Sequence, residues 1–286
     1  MDKEISFRKH RKNIHRIKCA GRDLGSDSPL FLIAGPCVIE ESSICKEIAK
    51  EIERVSEKLQ INYFFKASFD KANKTIPGSY RGPGWEKGLE ELKKIKKNIQ
   101  APIVTDVHEK EQCSVVAEVA DILQIPALLS KQIDLILAAA ATGKTINIKK
   151  GQFTSPWEIK NIISRLDEEG FEDYLITERG NMFGYQLLVS DMRSLQIMSQ
   201  FGHPVIFDAS HSVHGNDMIK TNTKLQHRDF IRPLIRSAVA NGIDGLFLET
   251  HPEPEKALSD SAGTFPLYKL EDLLHEVVEI DKIISN

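Results

Sequence analysis

The chain has 286 residues, of which 41% are apolar and 28% charged, with a formal net charge of −3. This is enough apolar material for the core of one large globular α/β domain. The near-neutral balance gives no reason to expect nucleic acid or an acidic membrane surface as partner, and four cysteines without C-x-x-C spacing exclude a disulfide scaffold and fit a reducing cytoplasm.

The chain opens on a basic stretch. Over residues 3–22, Lys3, Arg8, Lys9, Arg11, Lys12, Arg16, Lys18 and Arg22 stand against Glu4 alone. No apolar segment follows that would make this a secretory signal, and no run of about 18 apolar residues occurs anywhere. Residues 1–28 therefore read as a solvated or interface-packed extension, in preference to a polyanion-binding tail.

From residue 30 onward, apolar runs rich in Val, Ile, Leu and Phe alternate with helix-type segments. Strands are predicted at 30–34, 63–66, 103–106, 122–125, 145–149, 174–177, 205–208 and 245–249. The runs are continuous and not alternating, as expected of parallel strands buried on both faces. Between the first two strands, Ile44, Ile48, Ile52, Val55 and Leu59 share one helical face. Ser155, Pro156 and Glu158 predict an N-cap, a first helical position and a capping box. Ile159, Ile162, Ile163 and Leu166 form the stripe that follows, and Gly170 the stop. Leu270, Leu273, Leu274, Val277 and Val278 mark a last helix. Eight strands alternating with helices predict a single-domain (β/α)₈ TIM barrel over residues 29–286. An open doubly wound sheet is the competing architecture, but neither a G-x-G-x-x-G nor a Walker sequence is present. Residues 211–226 carry no strand or helix signal and read as a loop that covers a site.

In such a barrel the chemistry lies at the C-terminal ends of the strands. Here those ends carry Cys37, Lys66 (leading to Lys71), Asp106 and His108, Gln124, Lys149 and Lys150, Glu178 and Arg179, Asp208 and His211, and Glu249 and His251. A single lysine at a strand end is usually a solvated terminus, and a cysteine there is usually packing. Recurrence at all eight ends is the pattern of an enzyme. Lys66, Lys71, Lys149 and Arg179 would converge, and like charges held together call for anions. A substrate with several phosphate or carboxylate groups follows from that clustering. Cys37, His211, Glu249 and Asp260 form a second group: a thiolate, an imidazole and two carboxylates suited to one divalent ion of the Zn²⁺, Fe²⁺ or Mn²⁺ class.

Longer motifs carry a resemblance. Phe65-Lys66-Ala67-Ser68-Phe69-Asp70-Lys71-Ala72-Asn73 with Ser79-Tyr80-Arg81-Gly82-Pro83-Gly84 is similar to the 3-deoxy-D-manno-octulosonate 8-phosphate synthase family. So are Thr105-Asp106-Val107-His108-Glu109, Gln124-Ile125-Pro126-Ala127, Asn147-Ile148-Lys149-Lys150-Gly151-Gln152-Phe153 and Glu178-Arg179-Gly180 with Phe183-Gly184-Tyr185. The likeness continues through Phe207-Asp208-Ala209-Ser210-His211 and Glu249-Thr250-His251-Pro252-Glu253-Pro254, and covers about residues 30–285. It implies a transferase that joins phosphoenolpyruvate to D-arabinose 5-phosphate, releasing phosphate, in lipopolysaccharide (Kdo) biosynthesis. It also implies a homo-oligomer, a tetramer, with no nucleic-acid or membrane partner.

By resemblance, Lys66, Ser68, Lys71, Gln124, Ala127, Lys149 and Arg179 would bind phosphoenolpyruvate. Asn73, Lys74, Thr75 and Asp106 would bind the sugar phosphate. Lys66, Asp106, His108 and Lys149 would be catalytic. The family has a metal-free form with Asn after the first strand and a metal-dependent form with Cys there. Gly35-Pro36-Cys37 looks like the second, its ligand set matching Cys37, His211, Glu249 and Asp260.

Three features depart from the family. Lys74-Thr75 stand where Arg-Ser is usual, keeping charge and hydroxyl but not the bidentate fork. Ile76-Pro77-Gly78 is unusual, and Thr221-Asn222-Thr223-Lys224-Leu225-Gln226-His227 replaces an expected Ser-Gly-Gly segment. Two rival readings are a 3-deoxy-D-arabino-heptulosonate 7-phosphate synthase using erythrose 4-phosphate, and a non-catalytic barrel acting as scaffold or sensor. The first would carry Lys-Pro-Arg where this chain has Lys71-Ala72-Asn73; the intact rim argues against the second. His10, His15, His203, His214 and His227 read as surface or loop residues, and Cys19, Cys45 and Cys113 as packing thiols. Trp85 and Trp157 read as packed helix starts, and Asp208 either orients His211 or caps a loop.

Overall fold

Each apolar run becomes one stave of a closed parallel sheet. The computed structural model describes residues 14–25, 28–182, 187–215 and 226–285. Its barrel strands are β1 (Phe31–Gly35), β2 (Asn62–Lys66), β3 (Ile103–Asp106), β4 (Ile122–Ile125), β5 (Thr145–Lys149), β6 (Tyr174–Glu178), β7 (Val205–Asp208) and β8 (Gly245–His251). Each pairs in parallel with the next, β8 pairs with β1, and the contact of β7 with β8 completes the ring. The predicted (β/α)₈ TIM barrel is the observed fold. The main shift is at β8, which runs on to His251 because Thr250 and His251 find a partner in the short strand Phe265–Pro266.

The crossovers are α1 (Ser42–Leu59), α2 (Trp85–Lys96), α3 (Lys110–Ala117), α4 (Ile133–Ala140), α5 (Ile159–Glu168) and α6 (Arg193–Ser199). They continue with a single turn, α7 (Ala209–Ser212), then α8 (Ile231–Ala240) and α9 (Leu270–Ser285). Ser155 caps through its hydroxyl, which accepts from the Trp157 amide at 3.2 Å, but the element it caps is the 3-10 turn Pro156–Glu158. Glu158 does not close the expected capping box; its carboxylate lies 3.3 Å from Lys131 Nζ. Trp85 and Trp157, expected to pack, are 40% and 63% exposed. The expected covering loop is described to Gly215, and its stretch 216–225 lies outside the described residues, as do Phe183, Gly184, Tyr185, His10 and the basic stretch 1–13.

Period-two alternation inside the barrel positions the site. Phe31, Ile33, Phe64, Val104, Ile122, Leu175, Ile206 and Phe247 form an interior apolar cluster distinct from the core between sheet and helices. Two residues further along each strand, on the same inward face, stand Gly35, Lys66, Asp106, Gln124, Thr177, Asp208 and Glu249, with Asn147 and Lys149 in register on β5. An apolar floor therefore carries a polar layer. Gly245 is part of that fit, since a Cβ there would lie 2.5 Å from the Phe31 ring.

Below the floor lies an element the sequence reading did not anticipate. Ile17–Cys19 and Arg22–Leu24 form an antiparallel hairpin, with Ala20 and Gly21 both at positive φ in its two-residue turn. Ile17, Cys19 and Leu24 join the interior cluster, so part of the expected extension plugs the barrel's lower end.

Candidate active site

The polar layer is laced by side-chain hydrogen bonds that follow strand order. Thr177 donates to Asn147 Oδ1 (2.7 Å), Asn147 to Gln124 Oε1 (3.0 Å), and Gln124 to Asp106 Oδ1 (2.7 Å). Ser68 donates to Asp106 Oδ2. Each amide uses donor and acceptor at once, so the belt from β6 to β3 has one self-consistent arrangement. It fixes the Asp106 carboxylate with both oxygens engaged.

Charged groups complete the ring. Lys66 Nζ donates to Glu249 Oε1 at 3.0 Å and to the Cys37 carbonyl at 3.1 Å, and lies 3.7 Å from Asp106. Lys71 lies 3.8 Å from Glu249. Lys149 donates to Asp208 Oδ2 at 2.6 Å and sits 3.5 Å from the centre of the Phe247 ring. Burial alone would raise the Asp106 carboxyl, but Lys66 and Lys71 outweigh it and hold it far below the usual range. Burial pushes the Lys149 ammonium down, with Asp208 opposing. Lys71 is raised, because the charges of Cys37 and Glu249 overcome burial.

These groups border one cavity of about 690 Å³. Lys66, Lys71, Asn73, Asp106, His108, Gln124, Ala127, Lys149, Arg179, His211 and Asp260 all line it. Ser68 is fully buried behind Asp106, and Lys74 reaches Asp260 Oδ1 at 3.0 Å. Thr75 is exposed and is not brought to the cavity wall. The cationic cluster predicted from the strand ends does converge, with one qualification. Each lysine already has a carboxylate beside it, whereas Arg179, also buried, has none within ion-pair distance among the described residues. Burial lowers its guanidinium below the ordinary value, but an arginine stays charged. His108 is held low by burial, and its Nδ1 has no hydrogen-bond partner among the described residues.

Cys37, Glu249 and Asp260 offer ligand atoms within 4.8 Å of one another. Cys37 Sγ lies 3.1 Å from Asp260 Oδ2, and His211 Nε2 lies 3.8 Å from both Glu249 Oε1 and Asp260 Oδ2. Asp208 does both things foreseen for it. It caps α7 by accepting from the His211 amide at 2.9 Å, and it engages His211 Nδ1 at 2.8 Å, turning Nε2 to the carboxylates. Asp260 adopts a left-handed conformation, φ 50° and ψ 35°, uncommon for a non-glycine residue and typical of sites held by their surroundings. Glu249 Oε2 is buried without a hydrogen-bond partner among the described residues. One thiol, one imidazole and two carboxylates at these separations fit a borderline divalent ion.

One group lies outside the sequence-based expectation for this site, and one strand-end residue named there, Lys150, does not reach it. His214, taken as a surface or loop residue, lines the cavity, and burial beside His211 holds it down at about 4. Its only sequence signal is the three-residue spacing from His211. Lys150 is fully buried, donating to the Gly151 and Thr154 carbonyls and to Asn181 Oδ1, with Glu178 at 3.6 Å. It braces the loop after β5 against the end of β6 and does not face the cavity.

The chain is 47% identical over 273 residues to a protein of Fusobacterium nucleatum named 2-dehydro-3-deoxyphosphooctonate aldolase, covering 96% of this chain and 98% of that protein. It is 49% identical over 257 residues to a protein of Cyanothece sp. with the same name, covering 90% of this chain and 94% of that one. A Coxiella burnetii protein of that name is 47% identical over 270 residues, covering 94% and 96%. The family model described as DAHP synthetase I matches residues 10–286, that is, the barrel together with the hairpin beneath it. With a closed (β/α)₈ barrel, a polar layer at the expected strand ends and a match of that extent, the chain belongs to the DAHP synthetase I family.

Proposed function

We propose that this protein condenses phosphoenolpyruvate with D-arabinose 5-phosphate and water, giving 3-deoxy-D-manno-octulosonate 8-phosphate and inorganic phosphate for lipopolysaccharide (Kdo) biosynthesis. The observation that carries the reading is the convergence of Lys66, Lys71, Lys149 and Arg179 on one cavity large enough for two small anionic substrates. The relatives' shared name supports the sugar.

In this reading C3 of phosphoenolpyruvate attacks the sugar aldehyde, water adds at C2, and the C2–O bond to phosphate then breaks. Two anions must be held together against their repulsion, which is the work of the cationic wall. Arg179, lacking a carboxylate partner among the described residues, grips phosphoenolpyruvate through its planar fork, with Lys71, Gln124 and the Ala127 segment completing the seat and Ser68 behind them holding Asp106. Asn73 and Asp106 face the sugar, with Lys74 and Thr75 at its phosphate. Lys66 and Lys149 stabilise negative charge as it develops. Lys149, its proton made easier to lose by burial, donates toward the aldehyde oxygen. His108, kept neutral by burial, takes up the proton of the attacking water.

Cys37, His211, Glu249 and Asp260 hold a divalent ion of the Zn²⁺, Fe²⁺ or Mn²⁺ class in this proposal. Such an ion supplies Lewis acidity for the aldehyde oxygen or the water. Lys66 on Glu249 and Lys74 on Asp260 provide positive charge at the same carboxylates. The protein is further read as a cytoplasmic homo-oligomer, a tetramer. Support comes from four buried cysteines, all free, and from exposed Leu128, Phe153, Trp157 and Met182 in the segments after three successive strands.

The test is phosphate release from phosphoenolpyruvate with either arabinose 5-phosphate or erythrose 4-phosphate, before and after chelation. Turnover with arabinose 5-phosphate, lost on chelation and restored by metal, is expected. No turnover with arabinose 5-phosphate under any metal sinks the function. Turnover that survives thorough chelation leaves the function standing and removes the role given to Cys37.

A further inference from the structure

His214 follows α7 and faces the same cavity as His211, with ring centroids 5.0 Å apart and planes inclined at 58°. Its Nε2 is buried and has no hydrogen-bond partner among the described residues. A buried imidazole nitrogen left without a partner is unfavourable by the desolvation of that group, so its persistence calls for a reason.

The seat of the ring is made by a second residue. A Cβ on Gly263 would lie 2.9 Å from His214 Nε2, 3.1 Å from its Cδ2 and 2.6 Å from the Ser210 carbonyl oxygen. Any larger residue at 263 would displace the imidazole or the backbone behind it. Gly263 lies in the turn Ser261–Gly263 that Asp260 begins, so one short segment supplies both a carboxylate and the space for the ring.

Ligand atoms of His211, His214 and Asp260 all lie within 4.8 Å of one another, as do those of Cys37, Glu249 and Asp260. Asp260 belongs to both sets. His211 Nε2, 3.8 Å from Glu249 Oε1 and from Asp260 Oδ2, joins them. Donors on one ion at roughly 2.0–2.3 Å are separated by no more than about 4.6 Å; the two sets meet through Asp260 and His211, with His214 on the His211 side.

We propose that His214 is a fifth donor to the ion held by Cys37, His211, Glu249 and Asp260, an inference that rests on the metal reading above. A second imidazole shifts the donor set toward nitrogen and favours Zn²⁺ or Fe²⁺ over Mn²⁺.

The experiment uses full-length protein freed of metal and titrated with Co²⁺. A thiolate-to-cobalt charge-transfer band reports Cys37, and the ligand-field bands report the number and kind of the other donors. His214→Ala and the more conservative His214→Gln are compared with wild type, and affinity is read by competition with a chelator. Both variants are expected to keep one Co²⁺ and the charge-transfer band. Their ligand-field bands should shift and intensify as coordination number falls, and affinity should drop about tenfold or more. Wild-type spectra and affinity in both variants would overturn the inference while leaving the four-donor site intact. A second Co²⁺ equivalent that disappears with His214 overturns it in favour of two ions bridged by Asp260. Wild-type protein that binds no Co²⁺ removes the metal reading and this inference together.

Discussion

At the scale of single residues, Arg179 differs from its cationic neighbours. Lys66 and Lys71 share the Glu249 carboxylate and Lys149 faces Asp208, all within 3.8 Å, so part of their positive charge is balanced before any substrate arrives. Arg179 is also buried and has no such partner among the described residues. A buried charge without a counter-charge is unfavourable, and an anionic substrate removes that penalty on binding. Arg179→Lys keeps the charge but not the planar fork. The expected result is a fall of roughly 10–100-fold in kcat/KM, about 1.4–2.8 kcal/mol, carried mainly by a higher KM for phosphoenolpyruvate. Steady-state kinetics with the sugar phosphate saturating would check this. An unchanged KM with only kcat reduced would mean that Arg179 does not hold the ground-state substrate. Arg179 was legible because it directly follows a strand-terminal glutamate. The absence of a carboxylate beside it was not, since that depends on how eight separate strand ends are set around a ring.

At the scale of elements, the hairpin below the barrel shows why a segment can be misread. Eight basic residues between positions 3 and 22 dominate its composition, yet Ile17, Cys19 and Leu24 alternate with exposed or half-exposed charges and turn inward. The alternation spans three residues on each strand, too few to stand out from a charged background, and its turn is Ala20-Gly21, not the Asn-Gly that usually marks such a hairpin. The segment is anchored by the His15 amide, which donates to the Gly202 carbonyl at 2.6 Å, and by His203 beside it. The His203 ring stacks on Tyr174 with centroids 3.7 Å apart, and His15 lies 5.4 Å away with Glu172 beyond it. Burial, reinforced by His15, holds His203 down at about 4 against an ordinary value of 6.5. The unfolded chain therefore takes up a proton near pH 6.5 that the folded chain refuses until about 4. The stability linked to this site is complete above pH 6.5 and is lost as pH falls from 6.5 toward 4. His203→Gln removes the linkage, so the difference in Tm between wild type and variant should be flat above pH 7 and shrink steadily below 6.5. A difference independent of pH across that window would show that His203 is not buried as a neutral ring.

At the scale of the whole molecule, the barrel was legible because its signal is repeated eight times. Strand limits read from apolar runs coincide with the observed ones at β3, β4, β5 and β7, where burial on both faces leaves no ambiguity of period. Most of the polar layer was legible for the same reason, since its residues recur at the C-terminal ends of the strands; Asn147 and Thr177, which complete it, were not, because they lie within apolar runs. The 3-10 turn before α5 and the exposed Trp157 were not, because a capping box and a buried tryptophan are local expectations that neighbouring elements can override. Trp157 is the more instructive departure. It is 63% exposed, Phe153 is 52% exposed, and Leu128 and Met182 are exposed in the segments after the strands on either side. Large apolar side chains left bare in successive segments suit a surface covered by another chain, and the tetramer proposed above would use this face and set the sugar-phosphate contacts of Lys74 and Thr75 at a subunit boundary. Thr75, which does not line the cavity within one chain, fits that arrangement. Sedimentation velocity at micromolar concentration should give a mass near four times the 32.2 kDa chain. Phe153→Asp combined with Trp157→Glu should divide the assembly into smaller species and raise the KM for arabinose 5-phosphate. The far-ultraviolet circular dichroism should stay unchanged, because neither side chain is part of the barrel core. A wild-type monomer, or a charged double variant that keeps the full mass, would refute this face as the interface.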